Sequence, residues 1–245
     1  MRALSAGELL TVWEHGVNQR PSQRALSLLA VACADDTPPD RVAHFSIGQR
    51  DEHLLRLRER IFGPRLAAIS ACPACREVLE FEVNGADIRV APTLEPAATI
   101  DLAHAGYNMQ FRLPNAVDLA TVDPGADRLT NSQHLLRRCL TSARRDGVEI
   151  PADELPSETV AAVSARMAEA DPQADVQLDL ACPQCEYRWH TPLDIVSFFW
   201  SEINAWALRL LNDVHALASA YGWCEADILA MTPIRRQAYL ELIHQ

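Results

Sequence analysis

The 245-residue chain contains no lysine; its 22 basic side chains are all arginine. Nothing physical in the sequence accounts for that. Other shortages exclude whole classes of chemistry. The nine glycines are dispersed, so no glycine-rich loop is available to cradle a phosphate. There is no G-x-S-x-G nucleophile elbow and no H-E-x-x-H metalloprotease helix. The eight histidines stand apart from one another, and an isolated His is more often a surface or satisfied core residue than a catalyst. Acid pairs such as Asp153-Glu154 fall in proline-flanked loop sequence and read as solvated. The chain is therefore expected not to be an enzyme. No apolar run reaches the roughly 18 residues of a membrane span. The most apolar stretch, Leu193 to Tyr221, carries Asp194, Glu202, Arg209 and Asp213. The first residues, Met1-Arg2 with Glu8 and Trp13 close behind, lack the apolar core of a signal peptide. A reducing, cytoplasmic location is expected.

Against these absences stand seven cysteines, four of them in two matching knuckles, Cys72-Pro73-Ala74-Cys75 and Cys182-Pro183-Gln184-Cys185. A two-residue spacer lets both thiolates of one turn face a single ion, and two such turns complete a tetrahedral site. Cys72, Cys75, Cys182 and Cys185 are thus expected to bind one structural Zn2+. A thiol–disulfide exchange motif would sit at the start of a helix, whereas Glu77 to Val83 alternates like a strand. Structural disulfides fit poorly with an odd cysteine count and a reducing compartment. His190, five residues past Cys185 in the alternating run Tyr187 to Thr191, is the alternative fourth ligand, but four cysteines already close the site. Arg76 and Glu186 follow the knuckles where glycine would ease the turn. Cys33, Cys139 and Cys224 read as small buried apolar residues.

The knuckles are separated by 106 residues, where a ribbon usually has roughly 15–20. A substantial segment is therefore inserted between them. Charge bears on what a zinc ribbon here would bind. Residues 1–70 hold nine arginines and eight acids, residues 71–191 ten and nineteen, and residues 192–245 three and six. The knuckle-bearing middle is the most acidic part and would repel phosphates. A zinc-ribbon nucleic-acid or transcription accessory protein is the competing reading. A basic strip would support it, if Arg137 with Arg144 and Arg138 with Arg145 share faces of one helix, but such a run reads more simply as a solvated face pairing with nearby acids.

Periodicity sketches the rest. Ser5 with Glu8 and Ser46 with Gln49 are capping-box spacings. Pro21 opens a helix between them, and Gly63-Pro64 stops the third. Arg56 to Arg60 reads as a solvated face. Strands are predicted at Leu79–Val83, Ile88–Val90, Met109–Leu113 and Val176–Leu180, and helices at Asn131–Arg145 and Ser157–Ala170. From Pro192 to Gly222 runs a long helix with a seam of Val196, Phe199, Ile203, Trp206, Leu210, Val214, Leu217 and Tyr221. Two short helices follow. Their Trp223, Ile228, Leu229, Met231, Tyr239 and Leu240 either pack on the long helix or form a partner surface. The fold class expected is α+β. Mostly helical parts, 1–70 and 192–245, pack together around a split zinc ribbon, 71–191, that carries a mixed α/β insertion over about 91–175.

Several segments in this order resemble the T4-type phage baseplate hub assembly chaperone family. They are Ser5-Ala6-Gly7-Glu8-Leu9-Leu10, Gly48-Gln49-Arg50-Asp51, the two knuckles, and Phe111-Arg112-Leu113-Pro114 with Asp118. The tail adds Glu202-Ile203, His215, Tyr221-Gly222-Trp223, Ile228-Leu229 and Arg235-Arg236 to Tyr239-Leu240. The resemblance implies a cytoplasmic, non-catalytic assembly factor or accessory protein of a contractile phage tail or contractile injection system. Its partners would be baseplate, hub or spike proteins, with no nucleic acid and no membrane. Only the four knuckle cysteines carry over as site residues.

Overall fold

The structure is a computed structural model that describes residues 1–90, 99–123 and 125–243. The expected insertion begins at 91, and His244 and Gln245 end the expected C-terminal part; these positions lie outside the described residues.

Helix α1 (Ala6–Gly16) starts where Ser5 Oγ accepts from the Glu8 N–H and the Glu8 carboxylate accepts from the Ser5 N–H. That reciprocal pairing satisfies two donors the helix cannot. α2 (Pro21–Ala32) opens on a proline, whose missing N–H costs nothing in a first turn. The short α3 (Pro39–Ala43) leads to α4 (Ile47–Phe62), capped by Ser46 and Gln49 and ended at Gly63. Leu9, Val12, Leu28, Leu29, Leu54 and Leu57 point inward and share one core with Ile195, Phe199 and Ile203 from the far end of the chain. Arg56 to Arg60 is not a uniformly solvated face. The turn that puts Leu54 inward carries Arg58 with it, four residues on. Arg58 is 3 % exposed and makes a two-pronged ion pair with Glu202 at 2.9 and 2.6 Å.

β1 (Arg65–Ala71) and β2 (Val78–Asn84) form an antiparallel hairpin around the first knuckle. The predicted strand at Ile88–Val90 is absent. A turn closes behind β2, where Asn84 accepts from the amides of Ala86 and Asp87 at 3.0 Å each, and Ile88, Arg89 and Val90 are not in a strand.

β3 (Thr99–His104) and β4 (Tyr107–Arg112) follow, then α5 (Ala116–Leu119), α6 (Arg128–Cys139), β5 (Leu140–Arg145) and β6 (Val148–Glu149). The four strands make one antiparallel sheet in chain order. The helix predicted over Asn131–Arg145 is therefore split at Cys139. Cross-strand pairs Gln110↔Ser142, Met109↔Ala143 and Tyr107↔Arg145 hold the second half extended and send Ala143 into the core. Pairing at a distance overrides local spacing here. α7 (Ser157–Ala170) lies where predicted, and Ile100, Met109, Phe111, Leu136, Ala143 and Val163 form a second core.

β7 (Gln177–Ala181) and β8 (Arg188–Pro192) make the second knuckle's hairpin. Pro192 ends β8, paired with Gln177, and does not open the long helix. α8 (Ile195–Tyr221) starts after Asp194, whose carboxylate accepts from the Ser197 N–H at 3.1 Å. Gly222 ends it at φ 70°, a left-handed conformation that a side chain would strain. Val196, Phe199, Ile203, Leu210 and Leu217 of the expected seam are buried; Trp206 and Val214 are half-buried and Tyr221 is exposed. α9 (Glu225–Leu229) and α10 (Pro233–Ile243) fold back on α8. Ile228 is fully buried, Arg236 is buried beside Asp213 at 3.5 Å, and Tyr239 stands edge-on to Trp223 with centroids 4.8 Å apart. The last helices thus pack on the long helix.

The segment between the hairpins is fastened to the first turn of α4. The Ile47 N–H donates to the Pro114 carbonyl at 3.2 Å, and the Gly48 N–H to Asp171 Oδ2 at 2.8 Å. Behind Pro114, Arg112 and Arg138 converge on Asp118, whose side chain is wholly buried.

Candidate metal centre

Each hairpin delivers its two cysteines from a tight knuckle. In the first, the Cys72 N–H donates to the Glu77 carbonyl at 2.8 Å and the Arg76 N–H to the Cys72 carbonyl at 2.9 Å. In the second, the matching bonds are Cys182 N–H to Tyr187 at 2.9 Å and Glu186 N–H to Cys182 at 3.0 Å. Closing these loops puts Arg76 at φ 66° and Glu186 at φ 60°, the awkward angles expected where glycine is missing.

The hairpins set the knuckles face to face. Cys72 Sγ lies 3.7 Å from Cys185 Sγ and Cys75 Sγ 3.5 Å from Cys182 Sγ, and all four sulfurs fall within 4.8 Å of one another. Four thiolates at a zinc–sulfur distance of 2.3 Å stand about 3.8 Å apart at the corners of a tetrahedron. The four cysteines therefore fit a single ion. Cys72 and Cys182 are buried with Leu79 under Trp189, while Cys75 and Cys185 are exposed.

Ionisation is unevenly prepared. Desolvation disfavours the Cys72 thiolate, but the amides of Cys75 and Ala74 aimed at its sulfur more than offset this and hold its pKa at about 7. The amides of Glu77 and Tyr187 favour thiolates at Cys75 and Cys185. Desolvation and the neighbouring thiols outweigh them, pushing Cys75 up to about 12 and raising Cys185. Four negative sulfurs this close repel one another, and a cation at their centre would let all four ionise.

His190 is not part of the cluster; it faces Asp179, its partner across β7 and β8. Cys33 and Cys139 are buried, as expected, and burial pushes the Cys139 thiol up to about 11. Cys224 is a correction. It is exposed, because it caps α9 in the turn after Gly222. The arginines that could have made a basic strip pair with acids or leave the helix. Arg137 pairs with Asp153, Arg138 with Asp118, and Arg145 lies over the Tyr107 ring at 5.1 Å, on a strand and not on α6.

The family model described as T4 bacteriophage base plate protein matches residues 7–200, most of the chain and both knuckles. The chain belongs to this family. Membership in the T4 base plate protein family points to a structural or assembly role in a phage baseplate, among other baseplate components, and away from catalysis. No curated protein and no solved structure matches the chain. No helix among the described residues of this base plate family member is long and apolar enough to cross a membrane.

Proposed function

We propose that this base plate family protein is a non-enzymatic assembly factor, of chaperone type, or a structural accessory protein. It serves the baseplate of a contractile phage tail or contractile injection system. It works in the cytoplasm beside hub, spike or other baseplate proteins, and Cys72, Cys75, Cys182 and Cys185 hold one structural Zn2+. The family match across residues 7–200 carries the reading. The closed four-sulfur donor set supports a structural ion, since a catalytic zinc keeps a position open for water. Soft thiolates arranged tetrahedrally favour zinc or iron over hard cations.

The ion ties together an organisation of three parts. Residues 1–70 and 192–245 form the helical body, and 71–191 the split ribbon with its insertion of about 91–175. The nineteen acids against ten arginines in 71–191 argue against a nucleic-acid partner.

Two measurements test the reading together. Deleting the gene should leave particles without functional baseplates, while co-expression with the neighbouring baseplate genes should copurify at least one of their products. Intact tails in the deletion strain would refute the assembly role, and tight, salt-sensitive binding to DNA or RNA would replace it.

A further inference from the structure

Strand alternation gives each hairpin one inward and one outward face. On β1–β2 the inward face carries Leu66, Leu79 and Phe81. The outward face presents Ala67, Ile69, Ala71 and Val78, all exposed, with Ile69 and Val78 at 69 % and 60 %. Ile69 opposes Glu80 and Ala71 opposes Val78, so Ile69 and Val78 are diagonal neighbours on one surface. A shallow concavity of about 420 Å³ lies here, lined by Ala67, Ile69, Glu80 and Glu82 among others.

The second hairpin is an internal control. It is built on the same knuckle, but its outward face carries Gln177, Asp179, Arg188 and His190, with His190 paired to Asp179 and only Ala181 and Pro192 apolar. A hairpin of this design therefore does not need an apolar outer surface. Exposed aliphatic groups brought together on one face mark an interaction site more often than chance.

The rim selects the occupant. Glu77 and Glu80 are exposed and meet no cation among the described residues, and Glu82 meets only Arg65, 3.6 Å away with both side chains in solvent. Two copies of this face docked on each other would set these carboxylates against carboxylates. Nucleic acid would be repelled by them as well.

We propose that the outer face of β1–β2 docks a protein partner whose own surface offers a small-residue or aliphatic strip flanked by arginine or lysine. The surface chemistry stands on the hairpin alone; naming that partner as a baseplate component rests on the assembly reading above. The aliphatic pair supplies the desolvated centre and the glutamates the register and the encounter rate.

The test uses the full chain, co-expressed with the products of its neighbouring baseplate genes, beside three variants: Ile69→Ser with Val78→Ser, Glu80→Arg, and Asp179→Ala on the other hairpin. Metal content and melting temperature are measured for each, and the altered side chains are exposed, so folding is expected to be unchanged. The Ile69→Ser/Val78→Ser pair and Glu80→Arg should each weaken capture of a baseplate product roughly tenfold or more, and Asp179→Ala should not. Wild-type capture should weaken with added salt, and less so for Glu80→Arg. Equal capture by all variants overturns the surface while the assembly reading stands. Failure of the wild type to capture any product overturns both. A dimer of the chain dissolved by Ile69→Ser/Val78→Ser overturns the basic-partner claim in favour of a second copy.

Discussion

The Gly48 amide and the Asp171 carboxylate meet at 2.8 Å across 123 residues of chain. A methyl group at Gly48 would collide with that carboxylate and approach the Ala174 nitrogen to 2.9 Å. The contact is backbone on one side, so little can yield. Gly48→Ala should destabilise the protein by about 2 kcal/mol, the usual scale for overpacking a buried site. Denaturant melts of the two proteins check this. An unchanged midpoint would mean that Asp171 swings away at no cost.

The four sulfurs set a second expectation. Purified protein should carry about one metal equivalent per chain, measured by elemental analysis, with zinc expected over iron. Cys182→Ser should lose the metal and lower the melting temperature, as should a strong chelator, because binding of a structural ion is coupled to folding. Cys224→Ser, outside the cluster, is the matched control.

The knuckle turns should improve on losing their side chains. Arg76 and Glu186 occupy the left-handed region at φ 66° and 60°, which costs an ordinary residue about 1 kcal/mol. Arg76→Gly and Glu186→Gly should each stabilise the metal-bound protein by about 0.5–1 kcal/mol. A loss of stability in either would show that its side chain makes a contact of greater worth than the strain.

Two buried aspartates should impose opposite pH dependences. Burial raises Asp51 to about 6, with Asp194 and Asp171 adding to it and Arg50 opposing. Its folded pKa lies above the ordinary 3.8. The stability linked to it is fully present below pH 3.8 and is lost as pH rises through about 6. Asp51→Asn should remove that slope, on the order of 2–3 kcal/mol between those limits. For Asp118, burial works against the charge, but Arg112, the Asn115 amide and Arg138 reverse it and hold the pKa below 3.8. Its contribution is present above pH 3.8 and is lost as pH falls through the lower folded value. Asp118→Asn should cost about 3 kcal/mol at neutral pH, because two arginines lose their shared partner. Urea melts over a pH series read both effects.

The parts governed by neighbours in sequence were legible. Ser5 with Glu8, Ser46 with Gln49, Gly222 and the proline-cysteine knuckles each specify a local geometry that few other conformations satisfy. The parts decided at a distance were not. Arg144 and Arg145 follow Arg137 and Arg138 at a helical spacing, yet their segment, Leu140 to Arg145, pairs with β4, far back in the chain. β3 is not among the predicted strands although Ile100 and Leu102 alternate with polar residues, a signal too short to stand by itself. Arg58 reads as part of a solvated face because it lies in a charged run, but the Glu202 carboxylate that it pairs with lies 144 residues away in the chain. The outer face of β1–β2 was written in the alternation of Arg65 to Ala71. Its apolar character stands out only against the more polar outer face of the second hairpin.

The sulfur cluster also has a place in time. Its first pair leaves the ribosome more than a hundred residues before its second, so Cys72 and Cys75 are made well before the two cysteines that they meet in the folded chain. That intervening segment has a core of its own around Phe111 and Val163. The four-sulfur cluster can therefore be completed only after the chain between its halves has been made.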